Sequence, residues 1–258
     1  YESHLATMNP TYLRDHVVFD TPVFPAAGFW EMALAAAGQL IGRHSDLELR
    51  DVLISRALVF DAPAESDGGM TALDEQRVQV VCEPKDDAQR SHHLSIFSLK
   101  DEQMGSEGAW RRHVSGMVRQ RQVDSASVAP AVLADLQAQF VEEVSVEAFY
   151  QTFAQRQIAY GPAFQPIRAL WRDQNQALAK MKLAKHVKRH AKRYLLHPTL
   201  LDGSLQAVAA AAANLLTSAA ADEAEAGGQD LFLPIYCTCL SLFQPVPAEG
   251  ELWAYVQL

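Results

Sequence analysis

Two alanine-rich apolar segments dominate the chain, and apolar and polar positions alternate through much of the rest. Residues 26–41 (AAGFWEMALAAAGQLI) follow Pro25 and are apolar nearly all round, which predicts a buried helix. A second helix is predicted over 198–216. Alternation and flanking turn residues predict strands at 1–9, 47–60, 78–82, 94–99, 110–118, 170–171, 177–183, 231–243 and 251–258.

A change in composition divides the chain into two similar halves. Residues 121–135 are rich in Ser, Ala and Pro and lack alternation, so they are predicted to link an N-terminal lobe, 1–120, to a C-terminal lobe, 136–258. A further helix is predicted over 136–156, before the break at Gly161-Pro162, and 217–230 is of low complexity. Each half then holds one buried, alanine-rich helix and one sheet. This weak repeat predicts an α+β protein in which two helix-in-sheet lobes share a cleft.

Composition and charge narrow the class of function. The 258 residues are 49% hydrophobic with a net charge of −9, which argues against a nucleic acid partner. No uncharged apolar run reaches the ~18 residues of a membrane span, and no secretion signal is visible at the start. The three cysteines, Cys82, Cys237 and Cys239, suit a reducing compartment and are expected to be packing residues. We expect a cytoplasmic protein.

The first candidates for catalytic residues are a histidine in one half of the chain and a carboxylate in the other. His16 precedes a proline-bounded apolar stretch, and Asp202 lies at the start of the second helix. Such a pair, facing each other across an apolar cleft, can move a proton off carbon and onto a leaving oxygen. Gln206 lies one turn after Asp202, where it can fix the carboxyl by a hydrogen bond. Taken singly, each residue also has a structural reading, as a core histidine or a carboxylate favoured by a helix dipole.

Four motifs combine these residues in a recognisable order. They are His-x-x-x-Gly-x-x-x-x-Pro, matched by His16 and Pro25; Tyr-Gly-Pro-x-Phe, matched by Tyr160, Gly161, Pro162 and Phe164; His-Pro-x-Leu-Leu-Asp-x-x-x-Gln, matched by His197, Pro198, Leu200, Leu201, Asp202 and Gln206; and Leu-Pro, matched by Leu233 and Pro234. In this order and spacing the chain resembles the dehydratase domains of modular polyketide synthases over nearly its whole length.

The resemblance implies a fold, a mechanism and partners. The fold would be a double hot dog, with each of two sheets wrapped round a central helix. His16 would remove the α-proton of a 3-hydroxyacyl thioester, and Asp202, with a pKa raised by burial, would protonate the departing hydroxyl. Backbone N–H groups within 26–29 would polarise the carbonyl. The supporting residues would be Gln206, Tyr160, Gly161, Pro25, Phe164 and His197.

The resemblance also implies how the substrate arrives. An acyl carrier protein would deliver it on a phosphopantetheine arm, and no cofactor would be needed. The protein would be a homodimer beside other domains of a cytoplasmic polyketide synthase.

Departures from the motifs keep other functions open. The family glycine after His16 is Asp20 here. An Asp20 carboxylate pointing inward would favour protonated His16 and weaken the base, whereas one pointing to solvent would not. Gln157 and Ile158 replace a Gly-aromatic pair. The alternatives are a variant of the same fold that also closes an oxygen heterocycle, one that shifts a double bond, and a non-catalytic dimeric scaffold.

One basic segment, 185–193, remains outside these motifs. His186 and His190 have the spacing of a helical metal pair, but the glutamate of the zinc-protease motif is absent and Lys188 and Arg189 lie between them, so no metal is expected. The segment is either a solvated loop or a docking patch for the phosphate or acidic helices of an acyl carrier protein.

Overall fold

The computed structural model describes residues 1–60, 75–85, 91–100, 110–121, 133–213 and 233–258. In chain order its elements are β1 (Glu2–Leu5), β2 (His16–Val18), β3 (Thr21–Pro22), α1 (Ala26–Ile41), β4 (Leu47–Ile54), β5 (Gln76–Pro84), β6 (Ser91–Lys100), β7 (Arg111–Gln120), α2 (Leu133–Gln139), β8 (Glu142–Val144), α3 (Val146–Gln155), β9 (Ile158–Tyr160), β10 (Ile167–Asp173), β11 (Gln176–Met181), α4 (Pro198–Ala211), β12 (Tyr236–Leu242) and β13 (Leu252–Gln257). Short 3-10 helices span Thr11–Asp15, Pro162–Phe164 and Lys188–Arg193. Most of the predicted linker, 121–135, and the whole of 217–230 lie outside the described residues.

Helix α1 begins and ends where the sequence predicts. Pro25 is its N-cap in an extended conformation, and Gly42 ends it with φ +71°, a left-handed value that glycine adopts without a Cβ clash. Buried residues occur all round the helix, including Phe29, Trp30 and Leu34. Such a helix must be covered on every side. It is covered by β4, β5 and β7 on one side and by α4 on the other.

Two larger antiparallel sheets each pack on one of the long helices. The six-stranded sheet has the order β1-β5-β6-β7-β4-β12 and packs on α1. The four-stranded sheet has the order β13-β11-β10-β8, and α4 lies on its strands β10, β11 and β13. One helix per sheet is the α+β arrangement that the internal repeat predicts.

The third and smallest sheet joins the two halves and positions the candidate site. Its order is β3-β2-β9, with His16 opposite Tyr160 and Val18 opposite Ile158. Strand β2 comes from the first half of the chain and β9 from the second. The pairing therefore brings the motif around His16 next to the motif around Tyr160.

The prediction of one helix over 136–156 is wrong. The segment contains the end of α2, the strand β8 and the helix α3, because Val144 pairs with Leu170 of β10. The Ser145 hydroxyl then accepts a hydrogen bond from the Ala148 N–H and caps α3. The tertiary pairing of three residues overrides the local helical pattern.

The division of the strands at residue 136 also needs a correction. Strand β12 follows that point in sequence, yet it pairs along its length with β4, with Leu240 opposite Leu49. The second half of the chain thus supplies one edge strand to the sheet of the first half. None of the helices in the described residues has the length and apolar character needed to cross a membrane.

Candidate active site

His16 lies at the start of β2 and is almost fully buried, and its ring has one hydrogen bond to the part of the chain that the structure describes. Nδ1 is 2.9 Å from the carbonyl oxygen of Val23. A carbonyl oxygen only accepts, so Nδ1 carries the hydrogen, and in the neutral ring Nε2 is the basic atom. The ring also packs edge-on against Phe164, with centroids 5.0 Å apart, and against Tyr160. These contacts fix both the tautomer and the orientation of the ring.

Asp202 lies in the first turns of α4 and is 5% exposed. Burial is the main cause of a raised pKa for this carboxyl, because removal from water disfavours the charged form. The charge of His16 and a hydrogen bond from Gln206 act in the opposite direction and lower the pKa. The two candidate residues are therefore close enough to interact, and burial makes the Asp202 carboxyl a weaker acid than an exposed aspartate.

Gln206 connects the carboxyl to the rest of the site. Its Nε2 donates to Asp202 Oδ2 at 2.8 Å and to the carbonyl oxygen of Phe164 at 2.9 Å. Its Oε1 accepts from the Tyr150 hydroxyl at 3.1 Å. Both polar atoms of the Gln206 side chain thus make hydrogen bonds, and the expected bond to Asp202 is one of them. Phe164 contacts the His16 ring with its side chain and Gln206 with its carbonyl, so it spans the two sides of the site.

Gly161 is required because the Asp15 side chain occupies the space where a Cβ would be. A Cβ built there would lie 2.6 Å from Asp15 Cγ. The Asp15 carboxylate accepts the Ala163 N–H at 2.8 Å, and its carbonyl accepts the Gly161 N–H at 2.7 Å. Asp15 thereby holds the 3-10 helix Pro162–Phe164 against the strand that carries His16.

Tyr160 and Tyr150 complete the wall beside the acid. Both phenols have raised pKa values, mainly from burial and in part from the nearby Asp202 carboxylate. They are therefore neutral hydroxyls at ordinary pH. Sequence reasoning missed Tyr150 because it lies in the segment predicted as one long helix, and it missed the role of Asp15 because nothing local to that residue indicates its contact with Gly161.

The start of α1 is a second source of backbone hydrogen-bond donors. Pro25, the N-cap, accepts the N–H groups of Gly28 at 2.9 Å and Phe29 at 3.4 Å. In the described part of the chain, the N–H groups of Ala26 and Ala27 have no acceptor. Of the backbone donors expected within 26–29, Ala26 and Ala27 are therefore the two whose N–H groups are not already used within the helix. The residues that lead into α1 are tied to the histidine, because the Val23 N–H donates to the His16 carbonyl at 3.0 Å.

Asp20, the residue that replaces the family glycine, points away from the site. It is exposed, with φ +59°, beside Phe19 at φ +48° in the turn between β2 and β3. Aspartate tolerates this left-handed conformation better than most residues, which is how it stands in for glycine. Its carboxylate makes no hydrogen bond or ion pair with another described residue, and the His16 ring is held by Val23 instead.

We therefore expect Asp20→Gly to leave the rate of a reaction that uses the His16 ring unchanged within about twofold, because the exposed Asp20 carboxylate has no contact with that ring. Asp20→Ala should lower the free energy of unfolding by about 1 kcal/mol, since alanine is strained at positive φ. Denaturant unfolding and a steady-state assay of both variants test this. A rise in rate of tenfold or more in the glycine variant would show that the charge does act on His16.

His197 lies apart from the pair and caps α4. Its Nδ1 accepts the Thr199 N–H at 3.3 Å, and burial lowers its pKa to about 4, so the ring is neutral. It packs edge-on against Tyr12, with centroids 5.3 Å apart. The predicted supporting role of His197 is thus placed at the entry to α4, not beside the Asp202 carboxyl.

Glu31 ties α1 to the same entry and was not singled out from the sequence. Its two carboxylate oxygens accept the Leu195 and Leu196 N–H groups at 2.8 and 2.9 Å. Burial raises its pKa to about 7, against the effect of those two hydrogen bonds. The contact crosses from the first half of the chain to the residues just before His197, and so fixes where α4 begins.

A cavity of about 560 Å³ opens beside these residues. Tyr12, Glu31 and His197 line it, together with basic side chains from 186–193, whereas His16 and Asp202 do not. Tyr12 separates the cavity from the pair, since its ring packs on Phe164, which packs on His16. Two successive aromatic rings, those of Tyr12 and Phe164, therefore lie between the cavity and the candidate base. Within the described ranges no three His, Cys, Asp or Glu side chains cluster as a metal site would require.

Comparison with known proteins identifies relatives of the whole chain. Residues 1–99 match the family model of the polyketide synthase dehydratase domain, and residues 128–258 match that of the polyketide synthase dehydratase N-terminal domain. Polyketide synthase GfsE of Streptomyces halstedii is 32% identical over 242 residues, which is 94% of this chain and 6% of that protein. Prosolanapyrone synthase of Alternaria solani is 30% identical over 207 residues, or 76% of this chain and 7% of that protein. The chain thus spans only a small part of these relatives.

Solved structures give the same result for the fold. The dehydratase domain from the CurK module of curacin polyketide synthase is 28% identical, with a TM-score of 0.82 over 100% of this chain and 81% of that one. Two variants of this CurK dehydratase, one with a histidine changed to phenylalanine and one with an aspartate changed to asparagine, are described as inactive. The similarity confirms the expected double hot dog fold.

Proposed function

The chain belongs to the polyketide synthase dehydratase family, and from this membership together with the paired His16 and Asp202 we propose that it removes water from a 3-hydroxyacyl thioester. The observation that carries the proposal is the site itself. A histidine whose Nε2 has no hydrogen bond to another described residue and a buried carboxyl with a raised pKa interact across the junction of two lobes. The inactive histidine and aspartate variants of the CurK dehydratase support these roles.

The proposed reaction begins at carbon. His16 Nε2 takes the α-proton of the thioester while Nδ1–H stays bonded to the Val23 carbonyl, which supports the imidazolium that forms. The electron pair moves towards the thioester carbonyl. Two N–H groups at the start of α1, those of Ala26 and Ala27, are the donors we assign to the developing oxyanion.

The second half of the reaction breaks the bond between the β-carbon and the hydroxyl. Asp202 gives its proton to the departing oxygen, so water leaves and an α,β-unsaturated thioester remains. Gln206 holds the carboxyl throughout, and stabilises the carboxylate once the proton has gone. A proton returned from His16 to Asp202 resets the pair. Since one proton leaves carbon and one joins oxygen, the reaction needs no redox or group-transfer cofactor.

The physiological substrate in this proposal is carried on the phosphopantetheine arm of an acyl carrier protein. The relatives are polyketide synthases many times longer than this chain, which supports neighbouring synthase domains as partners. Family membership also leads us to propose a homodimer.

The test is product analysis with a 3-hydroxybutyryl thioester, offered on an acyl carrier protein and as the N-acetylcysteamine thioester. Dehydration predicts an acyl product lighter by one water. Formation of an oxygen heterocycle from a substrate with a distal hydroxyl would favour the cyclising variant. An isomer of an unsaturated substrate, without loss of water from the hydroxyl substrate, would favour the double-bond shift. No product from any of these substrates would favour the scaffold. Retention of the buried acid beside His16 favours dehydration over the other functions.

The pH profile gives a further prediction. The Gln206 hydrogen bond favours the charged carboxylate and so lowers the pKa of Asp202. In Gln206→Leu the pKa of Asp202 should therefore rise, and the alkaline limb of kcat/KM against pH should move to higher pH. The maximum rate should fall by roughly 10- to 100-fold because the carboxyl loses its fixed orientation.

Tyr150→Phe is the matched control. It removes the hydroxyl on the far side of Gln206 but leaves the bond from Gln206 to Asp202. Its alkaline limb should move less than that of Gln206→Leu. A limb that moves to lower pH in Gln206→Leu would contradict Asp202 as the acid.

A further inference from the structure

The segment Lys185–Arg193 concentrates positive charge in an acidic chain. Its nine residues contain five lysines and arginines, two histidines and no acid, whereas the whole chain has 31 acidic and 22 basic residues. We call this segment the basic face. A local cluster of like charges on a surface of opposite net charge creates a local field that attracts an anionic partner.

The fold turns these charges outward. Val187 and Ala191 are buried, with exposures of 4% and 3%, and anchor the segment in the core. Lys188 is half-buried, whereas the other charged side chains of the basic face, including Arg189 and Arg193, are exposed. Among the described residues, none of the lysines and arginines of the basic face pairs with a carboxylate; His186 alone approaches one, with Nε2 4.0 Å from Asp15 Oδ2. The positive charge is therefore not neutralised within this part of the chain.

The basic face lies beside both catalytic motifs. Through His186 it approaches Asp15, which precedes His16 in sequence. At its other end Arg193 is followed, four residues later, by His197, the cap of the helix that carries Asp202. Arg189 and Arg193 also line the 560 Å³ cavity, whose inner wall contains Tyr12 and His197. Glu31 is the acidic group in this wall, and both its oxygens are taken by backbone N–H groups.

We infer that the basic face is the surface on which the acyl carrier protein docks, with Arg189 and Arg193 meeting its negative charges and the phosphodiester of its arm. The inference rests on the proposed function, because a carrier-bound substrate is what makes such a surface useful. Arginine suits a phosphate, since its planar group donates two parallel hydrogen bonds. Nucleic acid fits less well, because the net charge of −9 repels a long polyanion outside this one segment.

The test compares a carrier-bound substrate with a small one. The double variant Arg189→Glu/Arg193→Glu should lower kcat/KM for 3-hydroxybutyryl on an acyl carrier protein at least tenfold, through KM. For the N-acetylcysteamine thioester, which has no carrier and no phosphate, kcat/KM should stay within twofold. The matched control is Arg111→Glu/Arg112→Glu, which makes the same charge change on exposed residues of β7 that do not line the cavity. It should resemble the wild type with both substrates.

The salt dependence of kcat/KM and a direct measurement of carrier binding complete the test. Raising the salt concentration should lower kcat/KM of the wild type with the carrier substrate and change the double variant little, since screening weakens exposed charge pairs. An NMR titration of the carrier protein with the wild type should shift carrier resonances, and the double variant should abolish the shifts. Because this titration needs no turnover, it tests docking even if the wild type converts neither substrate, a result that would instead contradict the proposed function.

Three results would overturn the inference. One is equal carrier binding by the wild type and the double variant. Another is an equal loss of kcat/KM with both substrates, which would assign the arginines to folding or chemistry. The third is binding to vesicles of anionic phospholipid, or to a second copy of this chain, in place of the carrier protein.

Discussion

Replacing His16 with phenylalanine is expected to lower kcat for dehydration by roughly 10³-fold, within the range that general base catalysis contributes. Phenylalanine keeps a ring of similar size against Phe164, whose centroid lies 5.0 Å from that of His16. It removes Nε2, the atom that takes the α-proton in the proposed reaction. The loss should appear in kcat with both the carrier-bound and the small thioester, because the change acts on chemistry and not on docking.

The control for this prediction is His93→Phe, which changes an exposed histidine of β6. It should keep wild-type kcat, and circular dichroism should show that both variants are folded. The measurement is the loss of one water from the acyl group, followed by mass spectrometry. If His16→Phe kept more than about a tenth of wild-type kcat, another group would have to be the base.

The helices show what the sequence reveals most directly. The bounds predicted for α1 agree with Ala26–Ile41 because every determinant is local: Pro25 before it, an apolar surface along it and Gly42 after it. The strands β5, β6 and β7 likewise occupy the alternating segments of the first half. Where a residue's own neighbours decide its conformation, the pattern is sufficient.

The predictions from sequence are wrong where a residue far along the chain determines the local structure. Val144 belongs to a strand because Leu170 lies opposite, and the Leu240 strand joins the sheet of the other half because Leu49 lies opposite. Neither pairing leaves a signal in the short segments themselves. A three-residue strand between two helices is too short to show a period, so the sequence pattern favours one continuous helix.

The residues of the candidate site also fall into those that the sequence reveals and those that it does not. His16, Asp202 and Gln206 stand out because each lies in a motif. Asp15 and Glu31 do not, since their contacts are to the backbone of residues far along the chain, at Ala163 and at Leu195 and Leu196. These two carboxylates, one buried and one half-buried, fasten the segments that carry His16 and Asp202.

The proposed reaction needs both lobes, because it needs a proton acceptor and a proton donor in one place. The β2–β9 pairing fixes His16 beside Tyr160, and the Glu31 hydrogen bonds fix the entry to the helix of Asp202. In the proposed reaction Asp202 is the acid because burial favours its protonated form, and His16 is the base because the Val23 carbonyl supports the charged ring. These different surroundings, more than the identity of the two side chains, would set the two roles.

Replacing Asp202 with asparagine should therefore reduce dehydration by roughly 10²- to 10⁴-fold while keeping the fold. Asparagine is nearly isosteric and can still accept the Gln206 hydrogen bond, but it has no proton to give to the leaving hydroxyl. The alkaline limb of the pH profile, which follows the raised pKa of Asp202, should disappear from the residual activity. Exchange of the α-proton with deuterium from solvent should persist, since His16 is unchanged, and NMR of the recovered substrate measures it. A variant that lost water at the wild-type rate, or that kept the alkaline limb, would show that another group protonates the hydroxyl.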